Sequence, residues 1–217
     1  MKRLILSLLA LVGAIGLQAQ PTSVPEGGFG GFQLPEIKME YSKKYENVDY
    51  AGDGQVYHQM DVYLPKEVKS SYPVVVHIYG SAWYSNNSKG MADLGTICQA
   101  LLDAGYAVVT PNHRSSSDAL FPGAINDIKA VVRYIRANAS EYGFDPSFVA
   151  VSGFSSGGHL ASLAATSGDV AELEGTVGGN LQFSSAVDAA CDWSGPVNPY
   201  TINSPMNFGG SSPEEAF

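Results

Sequence analysis

Cysteine, histidine and positive charge are all scarce in this chain. Its 217 residues hold two cysteines, four histidines and 12 lysines and arginines, against 21 aspartates and glutamates. Two cysteines cannot build a disulfide scaffold. An exported location would permit one bridge between Cys98 and Cys191. The alternative is that each serves as a small hydrophobe, Cys98 on the apolar face of an expected helix and Cys191 in an expected strand. His58, His77, His113 and His159 show no ligand spacing with the cysteines or with one another, so no metal site is expected. A formal net charge of -9 argues against nucleic acid or an anionic membrane as a partner. No segment repeats, so a solenoid is excluded.

The one long apolar run, Leu4 to Ile15, follows the basic start Met1-Lys2-Arg3 and is too short to span a bilayer comfortably. It reads as a signal peptide of residues 1–19, cleaved after Ala19, which places the protein in the periplasm or outside the cell. No cysteine follows the run, so no lipid anchor is expected, and an uncleaved membrane anchor is the alternative. Cleavage removes Lys2 and Arg3 and takes the formal charge from -9 to -11. What remains suits one domain with a sizeable core.

Residues 20–54 begin rich in proline and glycine and without a period, and read as an arm or cap segment. From Gln59 short apolar strands alternate with amphipathic helices, the pattern of a mostly parallel sheet with helices on both faces. Strands are expected at Met60–Leu64, Pro73–Tyr79, Tyr106–Thr110, Phe148–Ser152 and Ser185–Cys191. Leu94, Ile97, Cys98, Leu101 and Leu102 recur at helical spacing and stop at Gly105. Pro122 opens a second helix with Ile125, Ile128, Val131, Val132 and Ile135 on one face. Its Lys129, Arg133 and Arg136 fall largely outside that stripe and are expected to be solvated.

The chemistry concentrates at Gly153-Phe-Ser-Ser-Gly157. A β-branched strand precedes it and the small-residue run Gly158-His-Leu-Ala-Ser-Leu163 follows, the setting of a strand-to-helix elbow that lifts a serine hydroxyl clear of the sheet. Ser155 is therefore the candidate nucleophile. Acyl transfer also needs donors for an oxyanion. One is the backbone N–H of Ser156, and the run Tyr79-Gly-Ser-Ala-Trp83 after a central strand offers Gly80 and Ser81 as the others. Asp192, near the carboxyl end of the last expected strand, is a candidate acid, with a turn or cap carboxylate as its alternative. No cofactor is required by this chemistry.

Several segments together resemble the α/β-hydrolase esterases and lipases similar to hormone-sensitive lipase, including the bacterial feruloyl and acetyl-xylan esterase branch. They are Asp61-Val-Tyr-Leu-Pro65, Tyr79-Gly-Ser-Ala-Trp83, Val109-Thr-Pro-Asn-His-Arg114, Phe121-Pro-Gly-Ala-Ile-Asn-Asp127, Tyr142-Gly-Phe-Asp-Pro146 and Gly153-Phe-Ser-Ser-Gly-Gly-His-Leu-Ala161, in the family's order over about residues 55–217. The resemblance implies an α/β-hydrolase fold over that range and a carboxylic-ester hydrolase working through an acyl-enzyme. Small-molecule or polysaccharide-linked esters, acetyl or feruloyl esters of plant polysaccharides among them, are the implied substrates.

The chain departs from the family in two places. Where the family commonly has His-Gly-Gly-Gly-Trp, Tyr79-Gly-Ser-Ala-Trp83 stands, so Tyr79 and not His77 occupies the position of the loop histidine. The family's order of serine, then acid, then histidine also finds no histidine after His159, which projects along the helix that the elbow opens. The expectation is thus a partial domain whose last strands, with the histidine and acid, fall beyond residue 217. Two other readings stay open: a catalytically inactive binding protein that retains the elbow, and a serine exopeptidase on the same scaffold.

Overall fold

The computed structural model describes residues 39–168 and 170–198. The segment read as a signal peptide, the first part of the expected arm and the tail after Asn198 lie outside the described residues.

Among the described residues six strands form a single mixed sheet in the order β1-β2-β4-β3-β5-β6, with β1 at Lys43–Asp49, β2 at Gln59–Leu64, β3 at Tyr72–Ile78, β4 at Ala107–Pro111, β5 at Phe144–Phe154 and β6 at Ala189–Trp193. β1 runs antiparallel to β2 and β2 antiparallel to β4, whereas β4, β3, β5 and β6 are mutually parallel. The expected mostly parallel sheet is therefore present. Its antiparallel portion is β1 and β2, which follow one another in the chain, with β2 laid antiparallel on the edge of the parallel strands at β4.

β1 corrects the expected boundary at residue 54, since part of the segment read as an arm is a sheet strand. Its sequence, Lys-Lys-Tyr-Glu-Asn-Val-Asp, hides the strand because an edge position tolerates charge that a central strand does not. The register with β2 also slips between Tyr45 and Val48, which breaks any clean alternation. β6 begins at Ala189, four residues later than the expected start at Ser185. Ser185 is drawn away from the sheet because its hydroxyl donates to Glu174.

Helices cover both faces. On one lie α2, Gly123–Ala137, and α4, Ser156–Thr166; the short helix α3 at Ala139–Tyr142 leads from α2 into β5. Ile125, Ile128, Val131, Val132 and Ile135 of α2 are buried with Val74, Val76, Val149 and Val151 of the central strands in the main core. Burial of side chains of this size stabilises by roughly 1.5–3 kcal/mol each. On the opposite face a π-helical turn at Leu94–Cys98 continues into α1, Gln99–Asp103, and packs Cys98 and Leu102 on Tyr63 and Val108. The hydrophobic spacing found this helix but not its wide first turn.

The cations of α2 correct a second expectation. Lys129 and Arg133 are each 1 % exposed, not solvated. The Lys129 ammonium donates to the Ser167 carbonyl at 2.6 Å and to Glu174 Oε1 at 2.7 Å. The Arg133 guanidinium donates to Glu174 Oε2 at 2.9 Å and to the carbonyls of Glu174 and Val177. Arg136 reaches the carbonyls of Ser184 and Ala186. A buried cation is tolerated only when it is paired and hydrogen-bonded; Lys129 and Arg133 meet that condition, and with the half-buried Arg136 they grip the long connection between α4 and β6.

Candidate active site

β5 carries the chain up between β3 and β6 and ends at Phe154; the next residue, Ser155, has φ 55° and ψ -121°. A residue with a β-carbon reaches that conformation only at a cost of about 1–3 kcal/mol, and the surrounding backbone enforces it. The Ser155 N–H donates to the Trp193 carbonyl of β6 at 2.9 Å, and the Ser155 carbonyl accepts from the His159 N–H at 3.0 Å. Ser155 is the N-cap residue of α4, yet its side chain makes no capping bond. The hydroxyl is left at the head of the helix, where the partial positive charge of the helix N-terminus lies.

The elbow turns this sharply because glycine flanks it. A β-carbon at Gly157 would strike the Ile78 carbonyl and stand 2.6 Å from that of Tyr79, so α4 starts in direct contact with the end of β3. The same contact brings in the loop after β3. A β-carbon at Gly80 would lie 2.6 Å from the Phe154 carbonyl and 2.9 Å from the Ser155 β-carbon. Gly80 thus borders Ser155.

Ser81 is placed differently from the expectation. Its N–H is not presented to a ligand but donates to Ser156 Oγ at 2.8 Å. This corrects Ser81 as an oxyanion donor: its one amide proton is already engaged by a side chain that is 1 % exposed. Past Ser81 the chain takes left-handed backbone at Ala82, φ 49°, and Trp83, φ 62°. The Tyr84 N–H closes the turn on the Ser81 carbonyl at 3.0 Å.

Tyr79 anchors the base of this loop. Its hydroxyl donates to the Ser85 carbonyl at 2.9 Å, and its ring stacks on that of His113 with centroids 4.8 Å apart and planes 11° apart. Burial, the largest influence, drives the Tyr79 phenol well above its ordinary range, so it stays a neutral donor. Sequence reasoning noted Tyr79 in the place of the family's histidine but missed both partners.

The histidines are spread through the fold. His77 is buried in β3 with its Nε2 3.1 Å from Asp93 Oδ2. His58 lies between Asp53, 2.7 Å from Nδ1, and Asp127, 3.3 Å from Nε2. Asp127 in turn holds the Arg114 guanidinium, with Nη2 at 2.6 Å, and fixes the loop after β4 beneath the site. The His159 ring meets the Trp83 indole edge-on, centroids 5.4 Å apart. Burial lowers the His159 pKa, and the Asp192 charge only partly opposes it, so the ring is neutral near pH 7. Among the described residues no histidine ring is hydrogen-bonded to the Ser155 hydroxyl; His159 meets Ser155 through its backbone N–H alone.

Asp192 is likewise used locally. Its Oδ1 accepts the Gly195 N–H at 2.6 Å and its Oδ2 accepts the Ser162 hydroxyl at 2.7 Å. Oδ1 closes the turn after β6 and Oδ2 ties that end of the strand to α4, the arrangement of the turn carboxylate that was the alternative to a candidate acid. Beside the elbow, Trp83, Phe121, Ile125, His159, Leu160 and Leu163 line a small, mostly apolar cleft. Cys98 and Cys191 are free, the first buried and the second exposed. Among the described residues no cluster of His, Cys, Asp or Glu has the make-up of a metal site.

Comparison with known proteins agrees with this geometry. Among solved structures, a truncated carbohydrate esterase from gut microbiota superimposes with a TM-score of 0.71 at 46 % identity, over 73 % of this chain and 59 % of that one. A bifunctional GH43-CE protein of Bacteroides eggerthii gives a TM-score of 0.73 at 49 % identity, over 80 % of this chain and 24 % of that one. Carboxylesterase NlhH of Mycobacterium tuberculosis is 32 % identical over 147 residues, 67 % of this chain and 41 % of the relative. The chain spans less than two thirds of the length of each of these relatives. The BD-FAE family model matches residues 60–216. With the elbow, the strand order and that match in agreement, the chain belongs to the BD-FAE family, a hormone-sensitive-lipase-like family of the α/β-hydrolase fold.

Proposed function

We propose that the protein is a carboxylic-ester hydrolase that works through an acyl-enzyme on Ser155. The observation that carries this reading is the conformation of Ser155, held at φ 55° by β6 and α4 with the backbone of Gly80 against it. A strained, glycine-flanked serine at a strand-to-helix turn serves to present a nucleophile. In this reading the Ser155 oxygen attacks the ester carbonyl and its proton passes to a base that none of the described residues supplies. The N–H groups of Ser156 and Gly80 hold the developing oxyanion, and the alcohol leaves before water releases the acid. No step calls for a cofactor.

For the substrate we favour acetyl or feruloyl esters carried on plant polysaccharides. The two similar structures named for carbohydrate esterase activity support this choice. Export also supports it, because a polymer cannot enter the cell, and the amino-terminal sequence has the basic start and short apolar run of a signal peptide. The same reading leaves no role for nucleic acid or for a stable membrane anchor.

The test is labelling of the full-length protein with a fluorophosphonate probe, alongside hydrolysis of 4-nitrophenyl acetate and methyl ferulate. Labelling and turnover that both vanish in Ser155→Ala are expected. Undiminished labelling of Ser155→Ala would reject the assignment, and cleavage of neither ester by a protein that does label would reject the substrate class.

A further inference from the structure

We infer that the Ser156 side chain is a positioning residue for this site, distinct from the role of its backbone N–H, and that it holds the loop at residues 79–85 against the elbow. The inference rests on the reading of Ser155 as nucleophile.

Beside the edge-on meeting of Trp83 with His159 further along α4, two kinds of contact hold Gly80 and Ser81 against the elbow. The first is steric: Gly80 approaches Ser155 so closely that a β-carbon has no room. Such a contact sets how near the loop can come but does nothing to keep it there. The second is attractive, the 2.8 Å bond from the Ser81 N–H to Ser156 Oγ across 75 residues of sequence. Together they fix the separation from both sides.

The loop responds to that tether as a unit. Tyr79 closes it on Ser85, Tyr84 closes it on Ser81, and stacking on His113 fixes its base. A displacement at Ser81 is therefore passed to Gly80, whose amide is one of the proposed oxyanion donors. Ser156 supplies the other donor from its own backbone, so one residue sets the distance between the two. Donors of this kind stabilise a transition state only when they are placed before charge develops, and small misplacements are costly. Ser156 is 1 % exposed, which keeps water from replacing its hydroxyl as the acceptor.

The test is steady-state kinetics on the full-length protein and its Ser156→Ala and Ser156→Thr variants, with 4-nitrophenyl acetate as substrate. Active sites are counted by fluorophosphonate end-point titration, and hydrogen exchange is followed in the peptide containing residues 80–84. The expected result for Ser156→Ala is a kcat per titrated site at least ten-fold lower, a KM within two-fold of the parent and faster exchange in that peptide. Ser156→Thr, which keeps the hydroxyl, restores most of the kcat. A Ser156→Ala variant with parental kcat would overturn this inference alone. So would a loss that disappears once rates are divided by titrated sites, since that marks a merely structural role. A parent that neither labels nor hydrolyses ester would overturn the nucleophile reading and this inference with it.

Discussion

Gly80 lies against the β-carbon of Ser155: there is room for one β-carbon between them, and Ser155 has it. A methyl group at position 80 would stand 2.9 Å from the Ser155 β-carbon and 2.6 Å from the Phe154 carbonyl. Neither neighbour is a flexible side-chain tip, so the loop itself must move.

Gly80→Ala is accordingly expected to reduce ester hydrolysis by about 100-fold, the scale of misplacing a reacting geometry by about 1 Å. The cost in stability is that of overpacking, about 1–3 kcal/mol. Kinetics and urea denaturation on the same preparation separate the two effects.

Relief of strain gives a second prediction. Ser155→Gly and Ser155→Ala both remove the hydroxyl, but only glycine reaches φ 55°, ψ -121° without cost. Against the alanine variant, the glycine variant is expected to be more stable by about 1–2 kcal/mol, net of the added freedom of its unfolded chain. Equal midpoints in urea would limit the strain at the elbow to the roughly 0.4–1 kcal/mol that the added unfolded freedom of glycine costs.

Glu174 compensates two buried cations at once. Replacing it with glutamine keeps the shape but leaves Lys129 and Arg133 with carbonyl acceptors alone, and is expected to cost about 3 kcal/mol at pH 7 by thermal or urea unfolding. Burial by itself would raise the Glu174 pKa, but hydrogen bonds from Lys129 and Ser185 and the nearby charges outweigh it and hold the carboxyl below its ordinary 4.5. A carboxyl lowered in the folded state stabilises fully above that ordinary value and loses its contribution as pH falls through the lowered one. The stability gap between parent and Glu174→Gln should therefore be widest at neutral pH and close in acid.

The cysteines give a fourth prediction. Burial pushes the Cys98 thiol up to about 12, with the Asp93 charge adding to it, and the sulfur contacts the Ala92 carbonyl. Cys191 is exposed. In the native protein iodoacetamide is expected to modify Cys191 and spare Cys98 until denaturant is added, as read by peptide mass spectrometry. A Cys98–Cys191 disulfide in the non-reduced digest would contradict the two free thiols.

Features that depend on residues close in sequence were legible without the structure. The apolar runs of β3 and β4, the stripe of α2 and the glycines around Ser155 all express their environment within a few positions. What escaped depends on distant partners. Nothing near Lys129 in the sequence announces Glu174, 45 positions away. Nothing near Ser81 announces that Ser156 Oγ will take its amide. β1 escaped for the opposite reason, since an edge strand is specified by its neighbour β2 more than by its own composition. Asp192 was visible as a carboxylate at a strand end, but its two local partners were not.

The elbow also has a place in time. Its strained residue is braced by the Trp193 carbonyl, which emerges from the ribosome after Ser155 itself, and its glycines close on β3 across a separation of about 75 residues. Contacts that distant form slowly, because a long loop must be ordered before they contribute anything. The bond to the Trp193 carbonyl that braces Ser155 can form only once β6 has docked on β5. The strained geometry of Ser155 is therefore completed by a strand that follows it in the chain.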